Sequence, residues 1–236
     1  MNIAKITRPY TIKNNRRASL ELIATFASYL AFLIAAIMSA PNWMLVLPFM
    51  ALNGIAAVRL YMLQHDCMHR SFFTSRRAND VVGTLLSPFT LTPYKSTRYS
   101  HNMHHAHVGD LDRRDAFEID IMTLDEFRTA PILKKLWYRL YRSPFTLVFA
   151  GPFIFYVILR RFPRNGIKTG VGDVLLHNAM LGAFVFCIFS FSGWTGVLIF
   201  LGAIYLGVSP GALIPYVVHN FEAAHWGRKP ELTFES

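Results

Sequence analysis

Residues 22–40, LIATFASYLAFLIAAIMSA, carry no charged side chain and no proline. A helix rises about 1.5 Å per residue, so a run of this length reaches across most of the ~30 Å hydrocarbon layer of a bilayer. Pro41 and Asn42 make a turn, and residues 43–63, WMLVLPFMALNGIAAVRLYML, return. Arg59 interrupts the second run near its end, where a long cationic side chain can snorkel to the headgroups. Glu21, at the edge of the first run, follows Arg17 by four residues and can pair with it on one helix face. Residues 174–192 and 194–218 form a second apolar hairpin around Ser192 and Gly193. Gly207, Pro210, Gly211 and Pro215 predict kinked or unwound final turns in its second arm.

The composition agrees. The chain has 236 residues, is 53% hydrophobic and has a mean hydropathy of +0.31. That is too apolar for a soluble domain with a charged surface. The first run is too long for a signal-peptide core and follows a polar stretch, so it reads as a span. The two cysteines, Cys67 and Cys187, imply no disulfide framework. The formal charge of +10 does not indicate nucleic acid, because of where the charges lie. Of 24 Lys and Arg, five fall in residues 1–17 and sixteen between Arg70 and Lys168. The short turns near Pro41 and Gly193 carry none, which is the positive-inside pattern. The basic side then faces the cytoplasm and anionic lipid.

Between the two hairpins lies a long basic region. Its stretch VVGTLLSPFTLTP is too short to span and reads as interfacial or re-entrant. The segment Pro144–Leu159 has basic residues at both ends and reads as a helix in the interface. The expectation is one domain, residues 1–236. It is an all-α integral membrane protein with four transmembrane helices in two hairpins, a cytoplasmic histidine-rich helical region and an interfacial helix.

Five of nine histidines fall in two groups, HDCMH (His65–His69) and HNMHH (His101–His105). Residues three and four apart share a helix face, so His65 and His69 project together, as do His101, His104 and His105. His219, in VVHNFEAAHW, follows the fourth run. Topology brings all six to the basic side of the membrane. Converging neutral imidazoles bind transition metals, and zinc, copper, iron and nickel all suit them. Five or six imidazoles exceed the four ligands of structural zinc and suggest two metals. Asp66 and Glu222 adjoin the ligands and are candidates to orient an imidazole through its other nitrogen. His107, His225 and His177 are expected to stay outside the ligand set. Cys67 is expected to act as a small helix residue.

HDCMHRSFF followed by RYSHNMHHAHVGDLDRRD resembles the first two histidine boxes of membrane fatty acyl desaturases, H-x-x-x-H and H-x-x-H-H. The similarity is greatest to bacterial acyl-lipid desaturases. It extends through WYRLYRSPF and GPFIF to HNFEAAHW, which resembles that group's Q-H-x-F-E-D motif. The resemblance implies a di-iron site with His65, His69, His101, His104, His105 and His219 as iron ligands. It also implies O₂-dependent insertion of a double bond into a fatty acyl lipid, with electrons from a ferredoxin or cytochrome b5-type donor. The expected location is a bacterial plasma membrane, with the metal site and termini cytoplasmic. A final H-x-x-H-H box belongs to the family pattern downstream of His219, and residues 220–236 contain none. The chain is therefore expected to lack its C-terminal part and to make no double bonds alone. The alternatives are a membrane di-iron hydroxylase or carotenoid ketolase, and a non-catalytic membrane metal- or haem-binding protein.

Overall fold

The computed structural model describes residues 11–114, 121–163, 166–219 and 226–228. Helix α1 is Asn15–Met38, capped by the Asn14 side chain, which accepts from the Arg17 amide. Asn42 caps α2, Trp43–Met68, by accepting from the Met44 amide. Helix α3 is Arg76–Thr90 and α4 is Tyr94–Ala106. Short helices α5 (Leu124–Thr129) and α6 (Ile132–Tyr141) follow. A segment of π and α turns, Thr146–Arg161, then leads to α7, Gly172–His219.

Three of these helices are long and apolar enough to cross a membrane: Asn15–Met38, Trp43–Met68 and Gly172–Gly211. The last breaks at Gly193, whose φ of 61° and ψ of −156° lie outside the helical region. The rings of Phe184 and Phe200 lie 5.4 Å apart. Sixteen residues of straight helix would separate them by about 24 Å. The chain therefore reverses at Gly193, and α7 is two antiparallel legs. With α1 and α2 this makes the two hairpins expected from the sequence. Large apolar side chains such as Ile23, Ile34, Leu47 and Phe191 face outward from these legs, as lipid-facing residues do. The pair Ile132–Tyr141 and Thr146–Arg161 is bent by 58° and has the form of a broken span or a re-entrant loop. The interfacial reading of Pro144–Leu159 is one way to use that geometry.

Close backbone contact locks the hairpins together. A Cβ on Gly54 of α2 would lie 2.8 Å from both the Ala203 carbonyl and the Gly207 amide. Lipid supplies no hydrophobic drive between helices, so small residues that let backbones touch carry the packing. Asn53, fully buried, donates to the Tyr29 carbonyl at 2.6 Å and joins α1 to α2. Arg17 pairs with Glu21 as expected, and Arg59 reaches the same carboxylate at 3.4 Å.

Candidate metal centre

Helix α2 does not stop at the end of its apolar run. It continues to Met68, so His65 occupies its last turn and His69 its C-cap. The second box lies on the last turns of α4. The two helix ends meet. The Nε2 atoms of His65 and His69 are 3.3 Å apart, those of His69 and His101 2.9 Å, and those of His101 and His105 3.0 Å. One ligand nitrogen from each of these four rings lies within 4.8 Å of all the others.

Hydrogen bonding among the rings does not account for this convergence. Each neutral imidazole nitrogen either carries a proton or accepts one. Along a chain of four such atoms, at most two of the three contacts can be hydrogen bonds. A cation with ligand nitrogens about 2.0–2.1 Å away places neighbouring nitrogens about 3 Å apart. The donor set therefore fits a transition metal. Burial, and then the neighbouring rings of His65, His105, His69 and His104, push His101 down to about 3. Burial and the same kind of neighbours lower His69, against the opposing pull of Asp66. Both rings are thus held neutral, the form that binds metal.

His104 is not one of the four. Its ring stands 5.8 Å from that of His105. Turning +400° from residue 101 to 105 leaves an offset of about +40°, whereas residue 104 is offset by about −60°. The α2 pair meets the 105 side. The His219 side chain, Glu222 and His225 lie outside the described residues. The backbone beyond them returns to the site: the Gly227 amide donates to Gly109 O at 3.0 Å, and the Leu111 amide donates to Gly227 O at 2.9 Å. Asp66 Oδ1 is 3.8 Å from His65 Nδ1, too far for a hydrogen bond. Cys67 packs in the core, His107 caps α4, and His177 is buried against Arg161, away from the four rings.

Residues that the sequence does not flag hold the two helix ends in place. Gln64, fully buried, donates to the carbonyls of Gly83 and Thr92 at 2.9 and 3.0 Å and accepts from Thr90 Oγ1 at 2.7 Å. It ties α3 and the α3–α4 turn to the residue beside His65. Tyr94 donates to the Cys67 carbonyl at 2.8 Å. Asp80 accepts from Arg98, and lies 3.1 Å from the Tyr94 hydroxyl and 3.7 Å from Arg70. Pro93 offers α4 no side-chain cap. Asp173 of α7 supplies one, accepting from the Ser96 amide at 3.0 Å. A carboxylate there also favours the helix dipole. Arg160 donates to Thr97 at 2.9 Å. The only sequence signal among these is a glutamine directly after an apolar run.

Two predictions follow from this geometry. Gln64→Leu removes the side-chain donor from two carbonyls, at about 1–3 kcal/mol for each left unsatisfied, while the Thr90 hydroxyl keeps the Leu86 and Ser87 carbonyls as acceptors. Its thermal unfolding midpoint in detergent should fall well below that of the native chain, and an unchanged midpoint would remove Gln64 from the account. The second concerns pH. Below the ordinary histidine value of 6.5, the unfolded chain takes up protons that His69 and His101 in the folded cluster refuse. Stability of chelator-treated protein should therefore decline from about pH 6.5 downward. The decline between pH 7 and pH 5 should be smaller in His101→Ala, and equal declines would contradict it.

The fold and this cluster define a helical membrane protein with a cluster of four histidines, able to hold a metal ion, at the end of a hairpin. A sequence model described as "Fatty acid desaturase" matches residues 41–236. The chain belongs to the fatty acid desaturase family. It is 33% identical to a fatty acid desaturase of Bacillus subtilis (strain 168), over 95% of this chain and 63% of that protein. It is 31% identical to an sn-1 oleoyl-lipid 12-desaturase of Synechocystis over 54% of this chain and 37% of that protein. An omega-3 chloroplastic desaturase of Glycine max is 33% identical over 64% of this chain and 30% of its own length. The chain thus spans less than two thirds of each of these relatives.

Proposed function

We propose that the chain carries an iron centre of an acyl-lipid desaturase, with His65, His69, His101 and His105 holding one iron. His104 and His219 are proposed as ligands toward a second iron, with Glu222 as an orienting carboxylate. The observation that carries this reading is the four-imidazole cluster at the end of a spanning helix. Iron, when bound, would supply the redox chemistry that activates O₂, the oxidant, against an alkyl C–H bond. Removing two hydrogens from the acyl chain yields two electrons and two protons. Reducing O₂ to two waters takes four of each, so a ferredoxin or cytochrome b5-type donor supplies the other two electrons and solvent the other two protons.

The chain's own residues suit an acyl substrate. One turn before His65, Tyr61 borders a mainly apolar cavity lined also by Ala57, Phe89, Tyr156, Gly207 and Gly211. The Tyr61 ring stands 6.4 Å from the His65 ring. The cavity is small, about 40 Å³, so it marks an apolar approach to the cluster rather than a finished acyl tunnel. Because the B. subtilis relative extends beyond the matched region, the test uses a chimera completed with that relative's remaining length. Fatty-acid profiling by gas chromatography with mass spectrometry of cells expressing it should show new unsaturated acyl chains. The same chimera with His101→Ala should show none. Hydroxylated products would assign the related hydroxylase chemistry, and no new product from a folded, iron-loaded chimera would refute the reading.

The proposed setting is a bacterial plasma membrane with the cluster cytoplasmic. Cysteines placed at Asn42 and Gly193, in the turns lacking basic residues, should react with an impermeant thiol reagent in intact cells. One placed at Arg113 should react only after lysis. The reverse pattern would invert the topology.

A further inference from the structure

Helix α6 buries none of its residues. Its sequence is ILKKLWYRLY, and the apolar side chains of Ile132, Leu133, Leu136, Trp137 and Leu140 are all exposed. At 100° per residue these five fall within an arc of about 140°. Lys134, Lys135, Arg139 and the following Arg142 occupy the opposite arc. The separation of the two faces is complete.

A ten-residue helix is marginal in water without packing. Nothing among the described residues covers this apolar stripe. It continues onto Phe145 and Phe149, exposed at the start of the Thr146–Arg161 segment. That segment packs against the long legs of α7, so the stripe adjoins the membrane-spanning body. On the cationic side, the Arg139 and Arg142 guanidinium groups stand 5.5 Å from the Phe127 and Tyr138 ring centroids respectively. These four residues, with Ser143 and Pro144, line a cleft that is open to solvent. Lys135 donates to the Arg128 carbonyl at 2.7 Å, holding α5 beside α6.

We propose that α6 is an in-plane anchor that seats on the anionic phospholipid surface of the membrane the chain spans. Its Leu133–Trp137 face lies among the acyl chains, and its Lys and Arg face contacts headgroup phosphates. Two features of the face select this occupant. An acidic soluble protein would meet the cations but leave five large apolar side chains in water. A neutral lipid surface would cover the apolar side chains but offer no anionic headgroup to the face that carries Lys134, Lys135 and Arg139. Basic residues near a bilayer draw on the negative potential of anionic lipid, and an apolar stripe of this width inserts at the acyl boundary. The anchor is independent of the redox chemistry proposed above.

Site-directed spin labelling of the full chain in vesicles tests this. The background carries Cys67→Ala and Cys187→Ala, and the label is placed at Leu133→Cys or Lys134→Cys. The vesicles are phosphatidylcholine alone, or phosphatidylcholine with phosphatidylglycerol. In the anionic vesicles, the label at 133 should collide with O₂ and be shielded from an aqueous nickel chelate. The label at 134 should show the reverse. In phosphatidylcholine alone, and in the anionic vesicles at high salt, the shielding at 133 should be weaker. Both labels fully reachable by the chelate in anionic vesicles would overturn the proposal. Equal shielding in both lipid compositions would overturn the anionic selectivity on which it rests. Shielding that appears only when an acidic electron-donor protein is added would transfer the surface to that protein.

Discussion

His101→Ala should strip the protein of most of its metal. His101 sits between the other three rings, with its Nε2 2.9 Å from His69 and 3.0 Å from His105 and its ring 4.5 Å from that of His65. Its loss removes one donor and opens the contact between the α2 pair and the α4 pair. Losing only an orienting partner typically costs about 10–100-fold in metal affinity, and losing a central ligand should cost more. Iron per mole of purified protein, measured by mass spectrometry, checks the prediction. His104→Ala, outside the four-ring cluster, should lower the content less than His101→Ala does. A His104→Ala, His105→Ala double variant should again lose most of it, because His105 belongs to the four. Unchanged iron in His101→Ala would leave the cluster without a role.

Gly207→Leu should prevent the two hairpins from docking. A Cβ at this position would lie 2.5 Å from the Gly54 carbonyl oxygen and 2.9 Å from the Gly54 Cα. These are backbone atoms, which cannot move aside as a side chain can. Overpacking a core ordinarily costs about 1–3 kcal/mol, and a clash with unyielding backbone belongs at or beyond the top of that range. The variant is expected to aggregate on extraction, seen as loss of the monodisperse peak in detergent size-exclusion chromatography. Gly182→Ala is the control, because nothing lies within 4 Å of a Cβ there. It should be neutral or mildly stabilising, since alanine is the better helix former. A well-behaved Gly207→Leu protein would refute the backbone contact.

What the sequence made legible, and what it did not, follows from the range of the interactions. The spans could be read because a bilayer demands long uncharged runs, and the Gly193 reversal because glycine stands between two of them. The pairing of His65 with His69, and of His101 with His105, follows from helical spacing alone. Helix-face reasoning also grouped His104 with His101 and His105. It could not say which flank of α4 faces α2, and the packing turned that choice toward His105. The supports of the site were hidden for a different reason. Asp173 caps α4 from 77 residues away, and Gln64 reaches carbonyls 19 and 28 residues on. No periodicity records such contacts. The α2 histidines ride on a helical extension past residue 63 because Gln64 and Cys67 face inward as apolar neighbours do, so the polar-looking sequence concealed a buried face.

Iron K-edge X-ray absorption of the purified native chain is the most direct test of the central claim that four imidazoles share one metal. The geometry predicts bound iron with a nitrogen-rich first shell and the strong outer-shell scattering of several imidazole rings, both diminished in His101→Ala. Iron without imidazole scattering, or a spectrum unaltered by that substitution, would contradict it.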